Sequence, residues 1–123
     1  VLVGYCITSK EDTYKAAKDI HEMGAKNVVI KGGHREGPVI DLLYSNELVK
    51  EFTASRVDSQ NTHGTSCTFA SALTAYLALG HSVEQAVFLA KDYVTEAIKA
   101  AFPIGRGHGP LNHFYSLWGK DNY

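Results

Sequence analysis

The chain has 123 residues, 45% of them hydrophobic and 20% charged, with a formal net charge of −1. That length fits a single domain, and the composition supports a packed core without staples and excludes compositional disorder. The small net charge removes the basic field on which a nucleic-acid surface depends, so no nucleic-acid partner is expected. The two cysteines, Cys6 and Cys67, lack metal-ligand spacing and suit a reducing, cytoplasmic setting. No apolar run reaches membrane-spanning length and no signal peptide opens the sequence. Because it starts at Val1, the sequence is expected to be either processed or a piece of something longer.

In chain order, Val1 to Ile7 is short and apolar and fits a strand or a tail. Ser9 then opens a helix. It can cap, Asp12 stands three residues on, and Glu11 suits the first turn. Tyr14, Ala17, Ile20 and Met23 follow at helical spacing, and Gly24 is placed to end the helix. Asn27 to Lys31 reads NVVIK, and its β-branched run predicts a buried strand. Helix, short loop and buried strand make half of a βαβ repeat. Gly32-Gly33-His34 ends the strand, and Gly37-Pro38 marks a turn. Val39 to Tyr44 and Leu48 to Thr53, separated by Ser45-Asn46, predict a hairpin; Arg56 to Thr62 is loop-like.

Gly64 to Cys67 leads into an apolar-periodic stretch carrying Phe69, Ala70, Leu73, Tyr76 and Leu77, which predicts a helix ending at Gly80. A second helix starts at Ser82, with Gln85 completing a capping box. Val83, Ala86, Val87, Ala90, Val94, Ala97 and Ile98 carry its apolar face, and Pro103 stops it. The tail from Ile104 is Gly-rich and then aromatic, and Phe114, Tyr115 and Trp118 are expected to pack. The fold class is α/β, with fewer strands than a complete doubly wound sheet.

Three stretches could carry chemistry. Asn61 to Thr68 reads NTHGTSCT and enters a helix, whose N-terminus offers amides and a positive dipole end to an anion such as a phosphate oxygen. A cysteine in that first turn would have its thiolate favoured by the same dipole. The plainer alternative, at even odds on spacing alone, is that Thr62 or Thr65 caps the helix and Cys67 is a small buried residue. Lys31-Gly32-Gly33-His34 ends a strand, where open α/β sheets bind ligands; Lys31 could meet a phosphate there and the glycines allow close backbone approach. A tight turn with solvent-facing Lys and His is the modestly favoured alternative. Gly105 to Pro110, followed by Asn112-His113, reads better as a loop covering a helix end than as a dinucleotide fingerprint, because it follows a helix instead of a strand. Asp41 could reach a ligand or simply begin the hairpin. The histidines are dispersed, and no metal ligand set is expected.

Taken together, VVIKGGH over 28–34, DLLY over 41–44, HGTSCT over 63–68 and GHGPLNH over 107–113 resemble the hydroxymethylpyrimidine (phosphate) kinase family of the ribokinase-like superfamily. The resemblance covers nearly the whole chain. It implies the C-terminal, nucleotide-binding half of a Rossmann-like, three-layer α/β/α domain. The implied activity is ATP-dependent phosphorylation of hydroxymethylpyrimidine and its monophosphate in thiamine biosynthesis, with Mg²⁺ on the phosphates. By the same match Gly64, Thr65 and Ser66 surround the transferring phosphoryl group, and Cys67 stands where the family has its catalytic base. Lys31, with Gly32, Gly33 and His63, belongs to the nucleotide site.

Two departures accompany the resemblance. The family has Gly where this chain has Ser66, which is expected to hinder a left-handed backbone or a close phosphate and to lower activity. The family's upstream half, with much of the pyrimidine pocket, is absent, so these residues alone are expected to show little turnover. The rival readings are a pyridoxal kinase of the same superfamily, a non-catalytic nucleotide-binding module, and a structural α/β piece. No membrane partner is expected, and a homodimer is compatible with the family.

Overall fold

The computed structural model describes residues 1–32, 39–54, 64–101, 104–106 and 109–117. The expectations for Gly33, His34, Gly37-Pro38, the loop 56–62, His63, Pro103, Gly107, His108 and Trp118 lie outside those residues. The chain divides into two compact units, Val1–Arg56 and Val57–Tyr123.

The first unit is a helix on a three-stranded sheet. Helix α1 spans Lys10–Glu22 behind a complete capping box. Ser9 Oγ accepts the Asp12 amide at 3.1 Å, and Asp12 Oδ2 accepts the amides of Ser9 and Thr8 and the Thr8 hydroxyl. The helix caps at Met23, and Gly24 follows with φ of +117°, a conformation that suits glycine. Ala17 lies at the centre of the core with Val28, Leu42 and Tyr44, flanked by Tyr14, Ile20, Ala25 and Ile30. Met23, the last residue of the expected apolar stripe, is exposed, because α1 has already ended there. Residues 1–7 form no strand. They turn, and Tyr5 ties them to α1 by donating to Asp19 at 2.6 Å beneath the Lys15 ammonium.

Strands β1 (Asn27–Ile30), β2 (Val39–Ser45) and β3 (Leu48–Ala54) run antiparallel in the order β1-β2-β3. The hairpin pairs Ser45 with Leu48, so its turn is Asn46-Glu47, one residue later than the sequence suggested. Both turn residues have positive φ, 51° and 62°, the signature of the tight turn whose twist matches a hairpin. In β1 only Val28 is buried, and Lys31 lies beyond the strand. Helix, loop and strand follow in the expected order, but β1 is less buried than expected, with Val29 and Ile30 half-buried. Among the described residues β1 pairs only with β2, antiparallel, which leaves its other edge without a ladder. The central strand β2 carries the burial instead, with Asp41, Leu42, Leu43 and Tyr44 all buried.

The second unit packs two helices, α2 (Thr65–Ala78) and α3 (Val83–Lys99). Gly80, with φ of +95°, turns the chain between them. Ser82 Oγ accepts the Gln85 amide at 3.2 Å, so the Ser82 half of the expected capping box is formed. On α3 the expected face is buried at Ala86, Val87, Ala90, Val94 and Ala97 and half-buried at Val83 and Ile98. Lys91 joins it, as a long aliphatic stem allows. Of the face expected on α2 only Phe69 is buried; Leu73 and Tyr76 are half-buried, and Ala70 and Leu77 are exposed. Apolar residues run all the way round α2, more than one neighbouring helix can cover.

The tail closes over the end of α3. Asn112 is 2% exposed; its amide donates to Ala97 O at 3.1 Å, its Nδ2 donates to Ala100 O at 3.1 Å, and its Oδ1 accepts the Phe114 amide at 3.0 Å. The loop therefore covers a helix end, as its position after a helix indicated. Tyr115 is half-buried against the Tyr93 ring, but Phe114 is exposed; Leu111 and Asn112 anchor the tail instead. Among the described residues no helix is long and apolar enough to cross a membrane.

Candidate functional site

The turn that begins α2 is built on one backbone conformation. Gly64 sits at the N-cap with φ of +82° and ψ of 8°, in the left-handed region, and no side chain caps the helix. The Thr68 amide donates to the Gly64 carbonyl at 2.8 Å, which closes the first turn. Nothing lies within 4 Å of where a Cβ at Gly64 would be, so glycine is favoured by conformation and not by crowding. The capping role considered for Thr65 is corrected: Thr65 is the first helical residue.

Ser66 and Cys67 follow in the same turn, both exposed, with Thr65 half-buried. Ser66 lies inside α2 and has no positive φ. The left-handed strain expected from Ser in place of Gly is therefore absent, since Gly64 carries that conformation. The first amides of a helix precede its first internal acceptor, and their dipole end attracts anions. In α1 and α3 an acidic side chain occupies the first turn, but α2 has none there. Its positive end is not offset by a carboxylate of its own helix.

Cys67 is a free cysteine, not the buried filler of the plainer alternative. It opens onto a cleft of about 620 Å³ that continues along α2 past Thr68, Ser71 and Tyr76, with Tyr93 of α3 and His113 of the tail opposite. The Tyr93 hydroxyl donates to His113 O at 3.2 Å, and the two rings stack with centroids 6.4 Å apart. Burial, then the nearby Asp92 charge, raises the Tyr115 hydroxyl above the usual tyrosine range. Sequence reasoning assigned Tyr76 to packing and His113 to a covering loop. The readable signal was helical spacing, because Cys67, Ser71 and Ala75 fall at i, i+4 and i+8 on one face.

In the first unit Lys31 and Gly32 follow the last paired residue of β1. A Cβ on Gly32 would lie 2.2 Å from the Ile40 carbonyl oxygen, so only glycine fits. The Gly32 amide donates to Asp41 Oδ1 at 2.8 Å. Asp41, weighed only briefly from sequence, is 1% exposed. Gly64, Thr65, Ser66 and Cys67 thus share one turn of the second unit, and Lys31 and Gly32 share one strand end of the first. Gly33 and His63 lie outside the described residues. Among those residues no group of three or more His, Cys, Asp or Glu side chains is placed to hold a metal ion.

The sequence profile of phosphomethylpyrimidine kinase matches residues 1–112. The chain is 44% identical over 115 residues to the hydroxymethylpyrimidine/phosphomethylpyrimidine kinase of Bacillus subtilis, a match that covers 92% of this chain and 42% of that protein. It is 47% identical over 113 residues to a thiamine biosynthesis bifunctional protein of Geobacter sulfurreducens, covering 91% of this chain and 23% of the other. Its fold is similar to the pyridoxal kinase of Staphylococcus aureus solved with AMP-PCP and pyridoxal, with a TM-score of 0.85 and 38% identity, over 90% of this chain and 42% of that one. The chain therefore spans less than half the length of these relatives.

Proposed function

We propose, on the premise that this chain belongs to the phosphomethylpyrimidine kinase family, that it is the C-terminal, nucleotide-binding portion of an ATP-dependent kinase. That kinase phosphorylates hydroxymethylpyrimidine and its monophosphate in thiamine biosynthesis. The observation that carries this reading is the turn at Gly64, which combines a left-handed glycine, an α2 N-terminus without side-chain cap or carboxylate, and an exposed thiol three residues on.

Phosphoryl transfer needs positioning and charge stabilisation more than covalent chemistry from the protein. The turn Gly64-Thr65-Ser66 receives the transferring phosphoryl group, and the dipole end of α2 offsets the charge that develops on its oxygens. With the free alcohol as acceptor, Cys67 Sγ takes the proton of the hydroxymethyl group as the hydroxyl oxygen bonds to the γ-phosphorus; with the monophosphate as acceptor, an oxygen of its phosphate is the nucleophile. The bond from that phosphorus to the bridging oxygen breaks, and ADP leaves. Lys31, with Gly32, Gly33 and His63, holds the nucleotide phosphates, where an ammonium acts as a point charge. Mg²⁺, when bound with the nucleotide, would supply further charge compensation on those phosphates.

The reading places the kinase in the cytoplasm, with ATP and the pyrimidine alcohol as its partners, no nucleic-acid or membrane partner, and a homodimer as a compatible assembly. The test is ADP release from ATP and hydroxymethylpyrimidine by the whole protein, with and without Cys67→Ala. Release that depends on the pyrimidine and on Cys67 supports the reading; nucleotide bound without ADP release favours the non-catalytic module.

A second reading is favoured by the likeness to pyridoxal kinase of Staphylococcus aureus. The same turn would then serve pyridoxal, and comparing kcat/KM for the two alcohols separates the readings.

A further inference from the structure

We propose that Asp41 is a positioning residue for the nucleotide phosphates, and that its carboxylate clamps the strand end that presents Lys31. The inference rests on the assignment of Lys31 to those phosphates and goes beyond it by naming what holds the lysine in place.

Asp41 stands in the central strand β2 between Ile40 and Leu42, opposite Phe52 on β3, and is 1% exposed. A carboxylate is costly to bury, and an apolar side chain among such neighbours would cost less. What Asp supplies there is hydrogen bonding. Its Oδ1 accepts the Gly32 amide at 2.8 Å, and among the described residues no buried side-chain nitrogen or oxygen lacks a partner. The clamped N–H belongs to the peptide that joins Lys31 to Gly32. Holding that peptide fixes the backbone of Lys31 and the direction in which its side chain leaves the chain.

The second contact is steric and independent. The β1–β2 register ends at Ile30 opposite Leu42, and two residues further it sets Gly32 opposite Ile40. There a Cβ on residue 32 would lie 2.2 Å from Ile40 O and 3.0 Å from Ile40 C. The backbone beyond β1 is thus pressed against Ile40 while Asp41 holds its amide. A lysine that follows a strand would otherwise lose rotational freedom on meeting a phosphate, and a fixed backbone lowers that cost.

The experiment titrates the whole protein with ADP and follows thermal unfolding of each variant. Lys31→Ala is expected to weaken ADP binding, and Asp41→Leu to weaken it about tenfold. Asp41→Asn keeps a carbonyl oxygen for the Gly32 amide and is expected to stay within about threefold of the parent chain. In the Lys31→Ala background the effect of Asp41→Leu should largely vanish, because the two residues act as one unit. Where Asp41→Leu does not fold, Asp41→Ala takes its place. If ADP fails to bind the parent chain, or Lys31→Ala leaves binding unchanged, the nucleotide assignment of Lys31 fails and this inference with it. If Lys31 matters but Asp41→Leu does not, or weakens binding equally in both backgrounds, the positioning role alone is overturned.

Discussion

The Thr68 amide donates to the Gly64 carbonyl at 2.8 Å, so the first turn of α2 closes on a residue whose φ is +82°. An L side chain at that φ costs about 1–2 kcal/mol. Gly64→Ala should lower stability by about that amount, read by urea unfolding, although no neighbour would touch the added methyl. Its effect on phosphoryl transfer should be larger than its effect on stability, because relaxing the strain moves the turn proposed to receive the phosphate.

Ser66 gives a contrasting expectation. It lies in ordinary helix, so Ser66→Gly relieves nothing and adds backbone freedom to the first turn. The variant should lose about 0.5 kcal/mol of stability and gain no turnover. A marked rise in kcat would show that the hydroxymethyl side chain of Ser66 obstructs the phosphate.

Asn112 holds the tail on the end of α3 through Ala97, Ala100 and Phe114. Removing its side chain takes away two part-buried hydrogen bonds, to the Ala100 carbonyl and from the Phe114 amide. Asn112→Ala should therefore cost about 1–3 kcal/mol in chemical denaturation. Amide exchange in residues 97–101 should quicken, while α1 exchanges as before.

Acid should loosen α1 first. The Thr8 amide, then the Thr8 hydroxyl and the Ser9 amide, bond the Asp12 carboxylate and hold it below the usual aspartate range. A depressed folded value means that this contribution is complete above the ordinary value of 3.8 and is lost as pH falls through the lower folded one. Glu51 follows the same sign, held low by Lys10 and then Tyr14. Asp12→Asn should show a shallower loss of Tm on acidification. At the other extreme, partial desolvation and then the bond to Asp19 push Tyr5 up to about 12. Its contribution is complete below 10.0 and is lost as pH rises through about 12.

The local signals in the sequence were strong where a side chain answers to its own backbone. Ser9 with Asp12, Ser82 with Gln85, and the hairpin around Asn46 could all be read before the fold was known, because caps and turns depend on neighbours in sequence. The burial of β1 and α2 was less legible. Their apolar runs mark surfaces that need partners, and the described residues supply β1 with one ladder and α2 with one helix. Within the candidate site, HGTSC announced a helix N-terminus, but the division of labour between Gly64 and Ser66 was hidden. Spacing cannot say which of two small residues takes the left-handed conformation. Asp41 was hidden for another reason: its bond to Gly32 crosses a strand pair whose register the sequence does not state.

The central claim is that Cys67, presented by the Gly64 turn, takes the proton during phosphoryl transfer to a pyrimidine alcohol. The most direct measurement is steady-state phosphorylation of hydroxymethylpyrimidine, the free alcohol, by the whole protein and by its Cys67→Ala variant. The account predicts that kcat falls by about 10²-fold or more while KM changes little. A variant that turns over at the parent rate would contradict it.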